Sequence, residues 1–352
     1  MILLALATPL AAAELVRQAS RDKRVVARFL LSGEPRAIAV TKDGTLYAGL
    51  RNPQSVVAID WKKGTILREV ILDNEEIAAT KDFETLRIDA TGTRLVIAQG
   101  TDESVTILSL PSLAIEREIG LEGEVIRDAI LDPKGRYLYI LGRSVHVWDS
   151  KGDRELRNFT AIDPMAIAAS ADGRWLAIIG SEKFSNGKAT VFSLIDTSKL
   201  EESRREPLQT ERTIASALFA ANDRALVVFA DDWVAEKSLA PLAPQVMSGS
   251  EGARRVKISA ADLISTEQIC LPTERGPQVA IPGAASNVVW FAERRCSTSG
   301  STVATPRQVS TESLYGIDAW AIAYDVSSGH LVASDGEETI TVYRAPGAAK
   351  TP

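Results

Sequence analysis

The chain has 352 residues, of which 45% are hydrophobic and 24% charged, and its formal net charge is −6. This composition excludes a disordered chain, and the acidic balance argues against a nucleic-acid-binding surface, which needs a basic footprint. A chain this long would ordinarily divide into domains, because single cores stop growing near ~250–300 residues. Radial repeats escape that limit, since each unit packs only on its neighbours.

In chain order, the first feature is Met1–Ala13 (MILLALATPLAAA), an apolar run closed by three alanines before Glu14. It matches the apolar region and small-residue cleavage site of an export signal, although no Lys or Arg precedes it. It is too short to span a bilayer, which needs ~20 apolar residues. The expectation is a removable signal over 1–13 and a periplasmic or secreted protein without a transmembrane segment. Next comes an orphan β-type run at 24–31 (RVVARFLL).

From there a tight polar turn between two apolar runs recurs seven times. The copies are Thr41–Tyr47 (TKDGTLY), Asp89–Leu95 (DATGTRL), Asp132–Leu138 (DPKGRYL), Ser170–Leu176 (SADGRWL) and Ala220–Leu226 (AANDRAL). Two degenerate copies follow at Pro282–Val288 (PGAASNV) and Asp325–Leu331 (DVSSGHL). Asp/Asn-Gly between β-type runs supplies the positive φ that a hairpin turn needs. A period near ~40–50 residues then marks a radial array of four-stranded sheets, strands A to D, with the turn between A and B. The expected units are about 34–72, 82–120, 124–160, 163–209, 212–272, 275–316 and 319–343. Strand A of each reads as a nearly continuous apolar run, as in Ile38-Ala39-Val40 and Ile167-Ala168-Ala169. That pattern suits strands buried on both faces. Arg87 interrupts it in the second unit. The last unit lacks a fourth strand, which 24–31 can supply, so that the chain ends pair and the array closes. One domain over 24–345 and a disordered tail over 346–352 follow.

The segments DPKGRYLYI at 132–140, SADGRWLA at 170–177 and IAYDVSSGHL at 322–331 resemble the YVTN-type β-propeller repeats, relatives in shape of the WD-repeat proteins. The resemblance implies an all-β, seven-bladed propeller of four-stranded blades. Such families include lactonases, amine-dehydrogenase subunits, surface-layer proteins and pure binding scaffolds, and the fold does not choose among them. VHVWD at 145–149 looks like the end of a WD repeat but occurs once.

The chemistry is sparse. His146 lies on a third strand and His330 opens a second strand, away from the inner strands, so neither suits a Ser/His/Asp arrangement. Charged residues instead collect at the starts of the inner strands: Glu34, Asp82, Glu124, Asp163, Arg212, Arg275 and Asp318, with Arg36, Glu84 and Arg127 just beyond. They should ring one mouth of the channel. Converging carboxylates there would suit Ca²⁺, which takes 6–8 oxygen ligands, whereas acids and arginines paired across a solvated rim are worth only ~0–1 kcal/mol each. The paired rim is the simpler reading, so no metal, no other cofactor and no catalytic residue is assigned. Asp60–Leu67 (DWKKGTIL) resembles the outer-strand turn of quinone-dependent propellers, without the recurring tryptophans.

Three stretches exceed the repeat spacing: 181–188, about 231–254 and about 293–315. Each follows a second strand, so each is expected as a B-to-C loop above the charged mouth, where long loops are usually functional. Trp233, Leu239, Leu242, Val246 and Met247 give the middle one apolar anchors. Cys270 is expected to close the outer strand of the fifth unit and Cys296 to open the loop of the sixth. A single disulfide is feasible if their Cα atoms approach within ~7 Å. The reading is an exported, monomeric, non-catalytic scaffold that takes a protein, glycan or small molecule on the loop-rich face. Its alternative is a lactonase-like hydrolase or oxidoreductase subunit that uses the charged mouth.

Overall fold

The computed structural model describes residues 14–73, 83–100, 103–151, 154–160, 162–184, 187–208, 214, 216–220, 225–230, 233–238, 269–271, 278–282, 288–293, 306–310, 320–325, 328 and 330–344. Within them every regular element is a β-strand, and the strands fall into seven antiparallel sheets. The first sheet shows how each is built. Glu34–Val40, Leu46–Arg51, Gln54–Asp60 and Thr65–Asp73 pair in chain order as a meander, with Val40 opposite Leu46 across the turn. The second, third and fourth sheets repeat this plan from inner strands Phe83–Ile88, Asp128–Leu131 and Asp163–Ala169.

The A-to-B turns fold as the sequence dictates. The N–H groups of Gly44, Gly92, Gly135 and Gly173 donate to the carbonyl three residues earlier at 2.6–3.0 Å. All four glycines have φ between 63° and 90°, where a side chain would be strained.

Apolar residues of adjacent sheets interdigitate, so the core is a series of layers between sheets. Phe29, Leu31, Ile340 and Val342 of the last sheet pack with Leu46, Leu50, Val57 and Ile59 of the first. Tyr47 and Val56 meet Phe83, Leu86 and Leu95 in the next layer, and Tyr139 and Val145 meet Ile167 and Ile178 further on. Inner strands of successive sheets lie side by side from Glu34–Val40 through Phe83–Ile88, Asp128–Leu131 and Asp163–Ala169 to Ser216–Ala220. On the other side, Ala321–Asp325 of the last sheet lies beside Glu34–Val40.

The orphan run is found where expected. Val25–Leu31 pairs with Thr339–Arg344, adding a strand from the start of the chain to the sheet at its end. That sheet has five strands, not four, because Leu15–Gln18 pairs on the far side of Val25–Leu31. That sheet therefore takes in residues before 24. Leu15 reaches the apolar layer, which is what holds so short a strand in place.

Three other expectations need correction. Residues 181–184 and 187–188 are not loop: Trp175–Phe184 and Gly187–Asp196 form one long hairpin, paired out to Phe184 opposite Gly187. Nor is the middle stretch a B-to-C loop. Trp233–Ser238 is itself the third strand of its sheet, with Trp233 paired to Ala230, and the chain leaves it at the opposite end. Finally, Ile269–Leu271, with Cys270, does not close the fifth sheet but pairs with Gln278–Pro282 in the sixth. Antiparallel order fixes which end of a strand points where, but three residues of β-type sequence carry no mark of the sheet they join. Cys296 and residues 239–268 and 294–305 lie outside the described residues, as do 1–13 and 346–352.

Candidate functional site

Strand direction gives the molecule two faces. Inner strands begin, and B-to-C connections turn, on what we term the entry face; A-to-B and C-to-D turns form the turn face. Of the residues expected at the mouth, Glu34, Arg36, Glu84, Arg127 and Asp163 stand at the starts of inner strands of four consecutive sheets. Asp82, Arg212, Arg275 and Asp318 lie outside the described residues. Trp233 is on the third strand of the fifth sheet, not in a loop.

The described charges are engaged with their surroundings. Arg36 Nη2 donates to Glu34 Oε2 at 2.5 Å, and Asn52 Nδ2 donates to Glu34 Oε1 at 3.2 Å. Burial works against ionisation of Glu34, but hydrogen bonds from Arg36 and Asn52 outweigh it and hold its carboxyl below the usual range. Arg127 Nη2 donates to the carbonyls of Gly142 and Pro164, both at 2.6 Å, and so ties the third sheet to the fourth. Ser181 Oγ donates to Asp163 at 3.3 Å. Glu84 lies over Gly100, where a β-carbon would fall 2.6 Å from its Oε1. Arg87, whose direction the sequence leaves open, reaches the next inner strand: Nε and Nη2 donate to the two Asp128 oxygens at 2.7 and 2.8 Å.

Glu124 accepts from the Arg143 amide at 2.6 Å, and its Oε1 lies 3.5 Å from His146 Nε2. His146 is 5% exposed, with Nδ1 2.8 Å from Glu155 Oε1 and Nε2 3.0 Å from Ser144 Oγ. This histidine is thus a buried link within its sheet. Among the described residues no group of three or more His, Cys, Asp or Glu is arranged to hold a metal ion.

One residue at the mouth escaped the sequence reading. Trp320 immediately precedes the inner strand of the last sheet, and its N–H donates to Ser334 O at 2.7 Å. The indole is pressed against Gly336, where a β-carbon would fall 2.7 Å from Trp320. The Arg36 guanidinium lies 4.5 Å from the ring centroid on the neighbouring sheet. Trp320 nevertheless remains 46% exposed. Its position at the start of an inner strand, two residues after Asp318, was the available signal.

No protein-family model matches this chain, and no curated protein matches it by sequence. Solved structures do resemble it. The β-propeller domain of Cps50 (Swd1) from Myceliophteria thermophila superposes with a TM-score of 0.63 at 15% identity, covering 90% of this chain and 97% of that one. Hydrazine synthase of Kuenenia stuttgartiensis gives 0.59 at 13% identity over 90% and 96% of the two chains. A chain of the mitotic checkpoint complex gives 0.63 at 13% identity over 97% and 98%. No helix among the described residues is long and apolar enough to cross a membrane. At such low identity the likeness speaks for architecture alone, and with the radial order of antiparallel sheets it makes this chain an all-β propeller of the WD-repeat-like shape.

Proposed function

We propose that the chain is a non-catalytic binding scaffold that receives a protein partner on the entry face. The observation that carries this reading is Trp320, a half-exposed indole backed by Gly336 and flanked by Arg36, which is held by Glu34, itself bonded by Asn52. Tryptophan and arginine are enriched among the residues that dominate interface energetics, and the indole buries a large area with little loss of conformational freedom. The carboxylates nearby hold arginines and backbone amides, which suits a rigid recognition surface better than proton transfer. One structural neighbour belongs to an assembly, the mitotic checkpoint complex, and another is an enzyme, so the fold leaves the choice to the site. The apolar run Met1–Ala13 supports an exported protein, with its partner in the cell envelope or outside.

The test is capture from a solubilised envelope extract by the immobilised wild type, Trp320→Ala and Leu67→Ala, the last altering an exposed leucine on the outer strand of the first sheet. Proteins retained by wild type and Leu67→Ala but lost with Trp320→Ala are the expected result. Equal capture by all three would sink the reading. Lactone hydrolysis abolished by Glu34→Gln would replace it with the enzyme alternative.

A further inference from the structure

The turn face carries a charge pattern that the entry-face reading does not use. Its A-to-B turns share one closing hydrogen bond, at Gly44, Gly92, Gly135 and Gly173, so successive sheets present turns of the same height. On this side stand seven exposed lysines among the described residues: Lys23 before Val25–Leu31, Lys42, Lys62 and Lys63 of the first sheet, Lys134 and Lys151 of the third, and Lys199 of the fourth, with Lys63 paired to Asp60 at 3.0 Å. The acids of the same turns are folded back on the chain. Asp43 accepts from the Thr45 amide, Asp60 from Lys63, Asp149 from Lys151 and Asp196 from Ser198, at 2.9–3.2 Å. Short carboxylates pinned to backbone amides stay near the sheet ends, while lysine stems carry their ammonium groups beyond them. At the opposite side Glu34, Glu84, Glu124 and Asp163 stand at or just before the starts of four consecutive inner strands, outnumbering Arg36 and Arg127 beside them. An acidic chain is therefore polarised, with positive charge displayed on its turn face.

We propose that the turn face docks on an anionic phospholipid bilayer, holding the molecule flat with its entry face outward. Charges at the tips of uniform turns, spread over four sheets and not lining one groove, match a planar charged surface better than a single polymer strand. Anionic headgroups attract basic side chains within a Debye length of the surface, so attachment is peripheral and reversible by salt. The acidic entry face is repelled by the same surface, which selects the orientation.

The experiment is co-sedimentation of the full chain with phosphatidylcholine vesicles, with and without phosphatidylglycerol, at low and high salt. Binding is expected only with the anionic lipid and only at low salt. Each lysine neutralised should lower partitioning about fivefold, so Lys42→Gln/Lys134→Gln/Lys151→Gln should nearly abolish it. Lys183→Gln, on the hairpin of the entry face, should leave it unchanged. Circular dichroism of each variant confirms that these exposed changes spare the fold. No binding to anionic vesicles, equal binding to neutral ones, or loss with Lys183→Gln and not with the triple variant would overturn the proposal. So would retention on heparin without vesicle binding, which would assign the lysines to a soluble polyanion. Because Trp320→Ala should leave vesicle binding intact, this outcome and that of the capture experiment are independent.

Discussion

Asp128 opens the inner strand of the third sheet with its side chain 12% exposed, and it gathers donors from two sheets. Arg87 meets both of its oxygens, Thr85 Oγ1 donates at 3.1 Å, and its own strand contributes the Ala129 amide at 2.9 Å. The sequence exposed Arg87 as the polar break in an apolar strand, yet not its partner, because the two residues are 41 positions apart on different repeats. Removing the carboxylate would take two charge-assisted hydrogen bonds from a guanidinium that is only 25% exposed. Asp128→Ala should therefore destabilise by about 1–3 kcal/mol, the cost of an unsatisfied, partly buried charged group. Arg87→Met/Asp128→Ala together should cost less than Asp128→Ala alone, since neither charge is then left behind. Urea denaturation of the three variants checks this, and strictly additive losses would show that the pair is not coupled.

At the scale of strands, what could be foreseen divided along the reach of the physics. The A-to-B turns are local, and a glycine after Asp, Thr or Lys at their centres suffices to place them. The long hairpin also carries its signal, Asn186-Gly187, but its polar flanks read as loop. Trp233–Ser238 includes Glu236 and Lys237, so hydropathy alone hides a strand that becomes evident only from its pairing with Ala225–Ala230. The start of the chain separates the two kinds of information. Val25–Leu31 was legible as a strand in search of a sheet, whereas Leu15–Gln18 is four residues long with Val16 52% exposed. Their contributions should differ accordingly. Phe29 is wholly buried between the last and first sheets, so Phe29→Ala should cost ~3–5 kcal/mol. Deleting 14–18 should lower the melting temperature only slightly, because it removes one edge strand and the contact of Leu15. Calorimetry would measure both, and a larger loss from the deletion would mean that the outermost strand, not Val25–Leu31, secures the chain ends.

For the molecule as a whole, the seam between last and first sheets joins the beginning of the chain to its end, and it is sealed by polar as well as apolar contacts. Trp61 Nε1 donates to Asp325 Oδ2 at 3.1 Å, Ser328 Oγ donates to the same oxygen at 2.6 Å, and Asp325 is fully buried. The His330 ring packs edge-on against Trp61 at 5.4 Å between centroids. Its Nδ1 is buried without a hydrogen-bond partner among the described residues. Burial pushes the imidazole below its ordinary value of 6.5, opposed by Asp325 and reinforced by Arg344 and Lys62. A depressed value in the folded state means that the unfolded chain takes up this proton first. Stability is therefore complete above about pH 6.5 and declines as the pH falls through the lower folded value. The turn carboxylates add a second, more acidic limb. Backbone and side-chain hydrogen bonds from Lys63 hold Asp60, and those from Ser198 hold Asp196, below the usual carboxylate range. Their stabilisation is present above that range and lost as the pH falls through the depressed values. Melting temperature followed by near-ultraviolet circular dichroism should thus fall in two stages on acidification. His330→Gln should remove the upper stage and leave the lower one. If the upper stage survives that substitution, the sensitive point does not lie at the seam.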